Sequence, residues 1–280
     1  MKIVEEIAGL RHWRASLGST ERLGFVPTMG ALHEGHLSLI HAAREACDLV
    51  AVSVFVNPTQ FAPHEDFDRY PRPREADIEK AREAGVDLLW FGQEPELYPD
   101  GFATEVALPH LTRNLCAVRR PHHFGGVALV VLKLFNLVRP SRAYFGRKDY
   151  QQLVVVRRMA RDLDLELEVV ACPVVREPSG LACSSRNRAL SDEGRRAAAV
   201  LYRALQSGER RCRAGESDGP AVIRAAAREI LTEPRVELEY LELVDPDSLV
   251  PLERVEGAAV LAVAARVEGV RLIDNVEIGT

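Results

Sequence analysis

Two histidines, His33 and His36, stand three residues apart in the stretch VPTMGALHEGHLSLIHAAR, Val26 to Arg44, where an apolar run gives way to a helical pattern. Three chemistries fit imidazoles so placed: metal ligation, local capping or packing, and hydrogen bonding to a bound phosphate. Zinc calls for three or four ligands, and no further Cys or His follows at suitable spacing. Glu34 lies between the histidines without forming H-E-x-x-H. A histidine that only caps the helix is the plainer reading. Gly30 and Gly35, however, let the backbone approach a ligand, and a helix beginning near Gly35 would aim free N–H groups at an anion. Phosphate chemistry suits this pattern better than a bound cation.

Four more stretches carry groups of the same kind. FVNPTQF sets Asn57 and Gln60 in a loop leaving a strand, where a plain Asn-Pro turn is the ordinary reading. GRKDYQQL offers Lys148 and Asp149 at a second strand-to-helix junction, against the default of a surface lysine and a capping aspartate. LACSSRNRALS is a polar segment that reads as a Ser/Asn turn or as a mobile loop over a ligand. RPHHFGGV places His122 and His123 just before a helix, a position more often filled by a packing residue than by a catalyst.

The elements that must position these groups are those of an α/β protein. RLGFVPT, LVAVSVFVN, VDLLWFG, RAYFG and LELEVVACPVV read as apolar strands alternating with amphipathic helices, and Val127, Val130, Val131, Leu134 and Val138 share one helix face. Continuous apolar strands in repeated β-α-β units imply a Rossmann-like parallel sheet with helices on both faces, which gathers ligands at the carboxyl ends of its strands. From about Val175 the pattern changes. DEGRRAAAVLYRALQSG and GPAVIRAAAREILTE read as two helices, and RVELEYLELVD, AAVLAVAARV and VRLIDNVEI as a small antiparallel sheet. The expected domains are 1–174 and a smaller α+β domain, 175–280, closing over the active site.

Composition narrows the function classes. The chain has 280 residues, 47% hydrophobic and 28% charged, with a net charge of −5. Its arginines are interspersed with acids, which argues against direct nucleic-acid binding. GGVALVVLKLFNLVRP is too short and too interrupted to span a bilayer, and the N-terminal MKIVEEIAGLRHWRASLG lacks the pattern of an export signal. Five scattered cysteines, without C-x-x-C, fit reduced thiols in the cytoplasm.

PTMGALHEGH is similar to the H-x-G-H signature of the nucleotidyltransferase superfamily that includes adenylyltransferases and class I aminoacyl-tRNA synthetases. SVFVNPTQF (Ser53 to Phe61), YPR (Tyr70 to Arg72), FGRKDYQQ (Phe145 to Gln152), SSRN (Ser184 to Asn187) and the ending RLIDNVEIGT follow in the order of the pantoate–β-alanine ligase family. The chain resembles that family over essentially its whole length. The resemblance implies a two-step reaction: D-pantoate attacks the α-phosphorus of ATP to give pantoyl adenylate and pyrophosphate, and the β-alanine amine then displaces AMP. A stable nucleotidylated product, or nucleotide binding by a regulatory protein, are the competing readings of H-x-G-H alone.

Residue roles follow from the same resemblance. It makes His36 the proton donor, with His33, Lys148 and Arg186 as the other catalytic groups. ATP contacts are implied at Met29, Gly30, His33 and His36, at Gly146, Arg147, Lys148 and Asp149, and at Val175, Cys183, Ser184, Ser185 and Arg186. Gln60, Gln152, Asn57 and His123 are implied for pantoate and β-alanine. Arg147 stands where glutamate is common and Cys183 where methionine is usual. Mg²⁺ is expected mainly on ATP phosphates and water, with Asp77 a candidate to orient it beside a non-acidic Ala76; no metal ligand is assigned. A homodimer is implied as well.

Overall fold

A computed structural model describes residues 1–62, 65 and 67–279 of the chain, so Thr280 of the C-terminal motif lies outside the described residues. The elements in chain order are β1 (Lys2–Val4), α1 (Ile7–Ala15), β2 (Leu23–Thr28), α2 (Glu34–Ala46), β3 (Leu49–Val54), α3 (Arg74–Glu83), β4 (Leu88–Phe91), α4 (Glu94–Leu97), α5 (Cys116–Arg119), α6 (His123–Val138) and β5 (Arg142–Gly146). There follow α7 (Tyr150–Asp162), β6 (Glu168–Cys172), α8 (Asp192–Ala198), α9 (Val200–Arg213), α10 (Gly219–Ile230), β7 (Val236–Val244), β8 (Ala259–Val267) and β9 (Val270–Ile278).

The chain divides into two compact units. The first comprises Met1–Leu108, Arg120–Gly146 and Val155–Pro173, and the second Pro109–Arg119, Arg147–Val154 and Val174–Thr280. This differs from the expected contiguous domains 1–174 and 175–280 in two segments. Side-chain amides explain why both cluster with the later residues. Gln151 Nε2 donates to Leu111 O and Asn114 O (3.0 Å each) while its Oε1 accepts from Cys116 N (3.1 Å), and Asn114 Nδ2 donates to Leu249 O (3.1 Å). Asn275 Nδ2 likewise donates to Arg147 O and Lys148 O.

In the first unit, six strands form a parallel sheet in the order β1-β4-β3-β2-β5-β6. Successive strand residues face opposite sides, so Val26, Val50, Val52, Leu89 and Tyr144 meet α2 and α3 through Leu39, Ile40, Ala43 and Ala81. On the other side Phe145 meets Phe135 of α6 edge-on, with centroids 6.3 Å apart. The strand order reverses between β2 and β5. Their carboxyl ends flank the switch point at which a sheet of this kind binds ligands.

In the second unit, β7, β8 and β9 form an antiparallel sheet covered by α9 and α10. The run expected as one helix from Asp192 is divided at Ala199. That residue keeps helical dihedrals (φ −62°, ψ −15°), so hydrogen bonding slips there without the chain turning. Among the described residues no helix is long and apolar enough to cross a membrane.

Candidate active site

β2 delivers the chain to the first group of candidates. Thr28 Oγ1 donates to Ser53 O on the neighbouring strand (2.8 Å) and accepts from Gly30 N (3.1 Å), which starts a tight bend. Gly30 has φ +81°, and a Cβ there would lie 2.8 Å from Val54 Cγ1 and 2.9 Å from Asp77 Oδ2, so glycine is required on two counts. Ala31 follows at φ +52°. Asp77 from α3 holds this strained backbone: Oδ2 accepts from Ala31 N (2.9 Å) and Oδ1 from Leu32 N (2.7 Å). Lys80, one turn on, donates to Leu32 O (2.6 Å). Asp77 is 2% exposed and each of its oxygens accepts from the backbone, which makes it a scaffold for the loop.

His33 is the N-cap of α2, and its Nδ1 accepts from Gly35 N (3.1 Å). An accepting Nδ1 bears no proton, so the ring proton sits on Nε2, which is thereby a donor. His36 lies one turn along, its ring centroid 4.1 Å from that of His33 at 36°. Both rings are half-buried at the helix start.

The loop after β3 carries the second group. Asn57 is 1% exposed; its Nδ2 donates to Gln60 Oε1 and Gly126 O (3.1 Å each), and its Oδ1 accepts from Tyr98 OH (2.8 Å) and Thr59 Oγ1 (3.0 Å). Both amide hydrogens are engaged, one of them in holding Gln60. Gln60 Nε2 in turn donates to Met29 Sδ (3.2 Å). His123 Nδ1 donates to Gln60 O (2.8 Å), and Arg120 Nη2 donates to the same carbonyl (3.2 Å) while its guanidinium pairs with Glu65. Burial alone would raise the Glu65 carboxyl, but the hydrogen bond and charge of Arg120 hold it below its ordinary value.

The second unit holds the remaining candidates. Arg147 to Asp149 form a 3₁₀ turn leading into α7; Lys148 Nζ lies 3.6 Å from Asp149 Oδ2, and Arg147 pairs with Glu277 of β9. Val175 and Cys183 face each other across a hairpin, with Cys183 N donating to Val175 O (2.9 Å). Its turn ends at Gly180. Ser184 caps the following 3₁₀ turn, Ser185–Ala189, by accepting from Arg186 N (3.3 Å). Asn187 Nδ2 ties that turn back to Ala182 O (3.0 Å) and Glu177 Oε1 (2.8 Å). Arg176 makes two hydrogen bonds to Asp274 of β9 (2.6 and 3.0 Å), stacks on Tyr202 at 3.6 Å and donates to Gly180 O (3.1 Å). Burial pushes the Asp274 carboxyl up, against the pull of Arg176.

Met29, Gly30, His33, His36, Asn57, Gln60, His123 and Gly146 thus belong to the first unit, and Arg147, Lys148, Asp149, Gln152, Val175, Cys183, Ser184, Ser185 and Arg186 to the second. Each set is knit by hydrogen bonds within its own unit. Sequence reasoning missed the scaffold groups Thr28, Tyr98, Arg120, Asp274 and Asn275. A signal existed for the last two: a polar pair inside the apolar strand RLIDNVEI is out of place unless it has buried partners. Among the described residues no group of three or more His, Cys, Asp and Glu side chains could hold a metal ion.

A model of the family described as pantoate-beta-alanine ligase matches residues 2–277. Pantothenate synthetase of Acidobacterium capsulatum is 54% identical over 260 residues, 93% of this chain and 87% of the relative. That of Moorella thermoacetica is 50% identical over 277 residues, 99% of this chain and 98% of the relative. The crystal structure of pantothenate synthetase from Thermus thermophilus superposes with a TM-score of 0.95 at 49% identity, covering 100% of both chains. Pantoate-beta-alanine ligase from Francisella tularensis, complexed with beta-gamma ATP and beta-alanine, superposes with a TM-score of 0.81 at 33% identity over 99% of this chain and 97% of its own.

Proposed function

The chain belongs to the pantoate–β-alanine ligase family, and from that premise we infer its reaction and the part its residues take in it. It is an ATP-dependent ligase that condenses D-pantoate with β-alanine to pantothenate, AMP and pyrophosphate. A carboxylate is a poor electrophile because its leaving group would be oxide. Attack by pantoate oxygen on the α-phosphorus expels pyrophosphate and converts that oxide into a phosphate ester. The amine of β-alanine then forms the C–N bond at the acyl carbon, AMP leaves, and the amine loses a proton.

The protein's contribution is alignment and charge stabilisation. In the first unit, we assign His33 Nε2–H and His36 as donors to the ATP phosphates, His36 being the proton donor, with Met29 and Gly30 lining the nucleotide. Gln60 is the pantoate ligand; its amide can donate to a carboxylate and accept from a hydroxyl. Asn57 and His123, which hold it, are assigned to the same substrate side. In the second unit, Lys148 supplies a point charge to the phosphates, Arg186 neutralises the departing pyrophosphate with Ser184 and Ser185, and Gln152 serves pantoate. The observation that carries this reading is the β2–α2 loop: a backbone held by Asp77, and a capping His33 whose Nδ1 is engaged and whose Nε2 is a donor. Mg²⁺ is proposed to arrive on the ATP phosphates, since the described residues form no protein cage for it, and no step here is routed through it. A cytoplasmic homodimer is the proposed working state.

The test is pyrophosphate release with ATP, Mg²⁺ and D-pantoate, with and without β-alanine, following AMP in parallel. Pantoate-dependent release, with AMP and pantothenate appearing on addition of β-alanine, is expected. Folded protein that releases no pyrophosphate with pantoate overturns the substrate assignment.

A further inference from the structure

β9 breaks its apolar pattern at Asp274 and Asn275, which are 4% exposed each, and each side chain holds another segment of the second unit. Asn275 Nδ2 donates to two consecutive carbonyls, Arg147 O and Lys148 O, at 2.9 Å each. Both amide hydrogens are therefore engaged in fixing the 3₁₀ turn that presents Lys148. Asp274 accepts two hydrogen bonds from Arg176 and a third from Asn275 N (2.8 Å). Arg176 in turn holds Gly180 O, at the end of the hairpin turn that leads into Ser184, Ser185 and Arg186. Gly180 has φ +91°, and Arg176 is packed on the Tyr202 ring.

Two segments distant in sequence, 147–149 and 175–186, are thus tied to adjacent residues of one strand. We propose that Asp274 and Asn275 are a positioning pair that holds the Lys148 turn and the Ser184–Arg186 segment in fixed register as one phosphate grip. The pair serves adenylation and not amide formation. The proposal rests on the phosphate role assigned above to Lys148. Neither side chain touches substrate. Asn275 acts through the backbone of Lys148, and Asp274 through Arg176. The sign of the arrangement suits the task, because Asp274 is neutralised by Arg176 and adds no repulsion for phosphate, while Asn275 orients the lysine turn without charge.

The experiment is a double-mutant cycle of Lys148→Ala and Asn275→Ala, read on the two half-reactions separately. Adenylation is measured as single-turnover pyrophosphate release from ATP, Mg²⁺ and D-pantoate, and amide formation from supplied pantoyl adenylate and β-alanine. Asn275→Ala is expected to slow adenylation roughly ten- to hundredfold, as for a displacement of about 1 Å at a positioned group, and to leave amide formation unchanged. The double variant should adenylate no more slowly than Lys148→Ala alone, since the two residues act as one unit. Losses that multiply in the double variant, or an equal fall in both half-reactions, overturn the proposal. Where Asn275→Ala does not fold, Asn275→Ser takes its place in the same cycle. A Lys148→Ala enzyme that adenylates at the wild-type rate removes the Lys148 assignment and the pair with it. Wild-type protein that releases no pyrophosphate instead strikes the reaction itself.

Discussion

On the proposed reading His33 has two tasks on one ring: Nδ1 caps α2 through Gly35 N, and Nε2 is the donor we assign to phosphate. The tasks are separable, because asparagine is also a good N-cap but cannot reproduce the distal donor. His33→Asn should leave the melting temperature near that of the wild type while adenylation falls about 10²- to 10³-fold, the usual cost of a lost transition-state donor; calorimetry and pyrophosphate release on the same sample check both halves. Asp77 poses a different case, a buried charged residue whose two oxygens accept from the backbone. In Asp77→Asn one carboxylate oxygen becomes an N–H₂ group facing a backbone N–H, so a buried amide at Ala31 or Leu32 loses its acceptor. Denaturant unfolding should show a loss of about 1–3 kcal/mol.

The loop after β3 owes its shape to α6. A Cβ at Gly126 would overlap the backbone of Thr59 and Gln60, so Gly126→Ala pushes that turn off the helix despite alanine's better helix propensity. Stability should fall by about 1–3 kcal/mol, as in other overpacked sites, and the KM for pantoate should rise more than that for ATP in steady-state assays. Arg120 holds the same loop from its other end through Glu65. That carboxyl sits below its ordinary value of 4.5 in the folded protein. A depressed carboxylate contributes stability that is complete above the ordinary value and is lost as the pH falls through the folded one. Glu65→Gln should therefore flatten the acid limb of a stability-against-pH curve below about pH 4.5, where the wild type is still losing this contribution, and leave its slope near neutrality unchanged.

At the scale of the whole molecule, nucleotide binding and assembly are the measurable properties. ATP that binds only the folded chain, at about 100 times its Kd, should add about 2.7 kcal/mol to stability, and Lys148→Ala should reduce the gain at the same ATP concentration. Light scattering of the purified protein should give the mass of a homodimer; a monomer that retains full activity would remove dimerisation from the account of function. The sequence alone determined most of the strand and helix succession from β2 onward, since apolar runs and helical periodicities are local properties that survive without partners, but not the short β1, α1, α4 and α5. It also singled out His33 and His36 by their place at a helix start beside glycines, whereas Gln60, Lys148 and Arg186 stood out only through the resemblance of their motifs to the family. Only the tertiary structure decided which residues hold these groups in place. Asp77 reaches the loop at Ala31 and Leu32 from more than forty positions away, and Asn275 reaches Lys148 O across 127. Such partners are brought together by sheet order and packing, which no local pattern records. A buried carboxylate or amide reveals its purpose only when the backbone groups that satisfy it are in view.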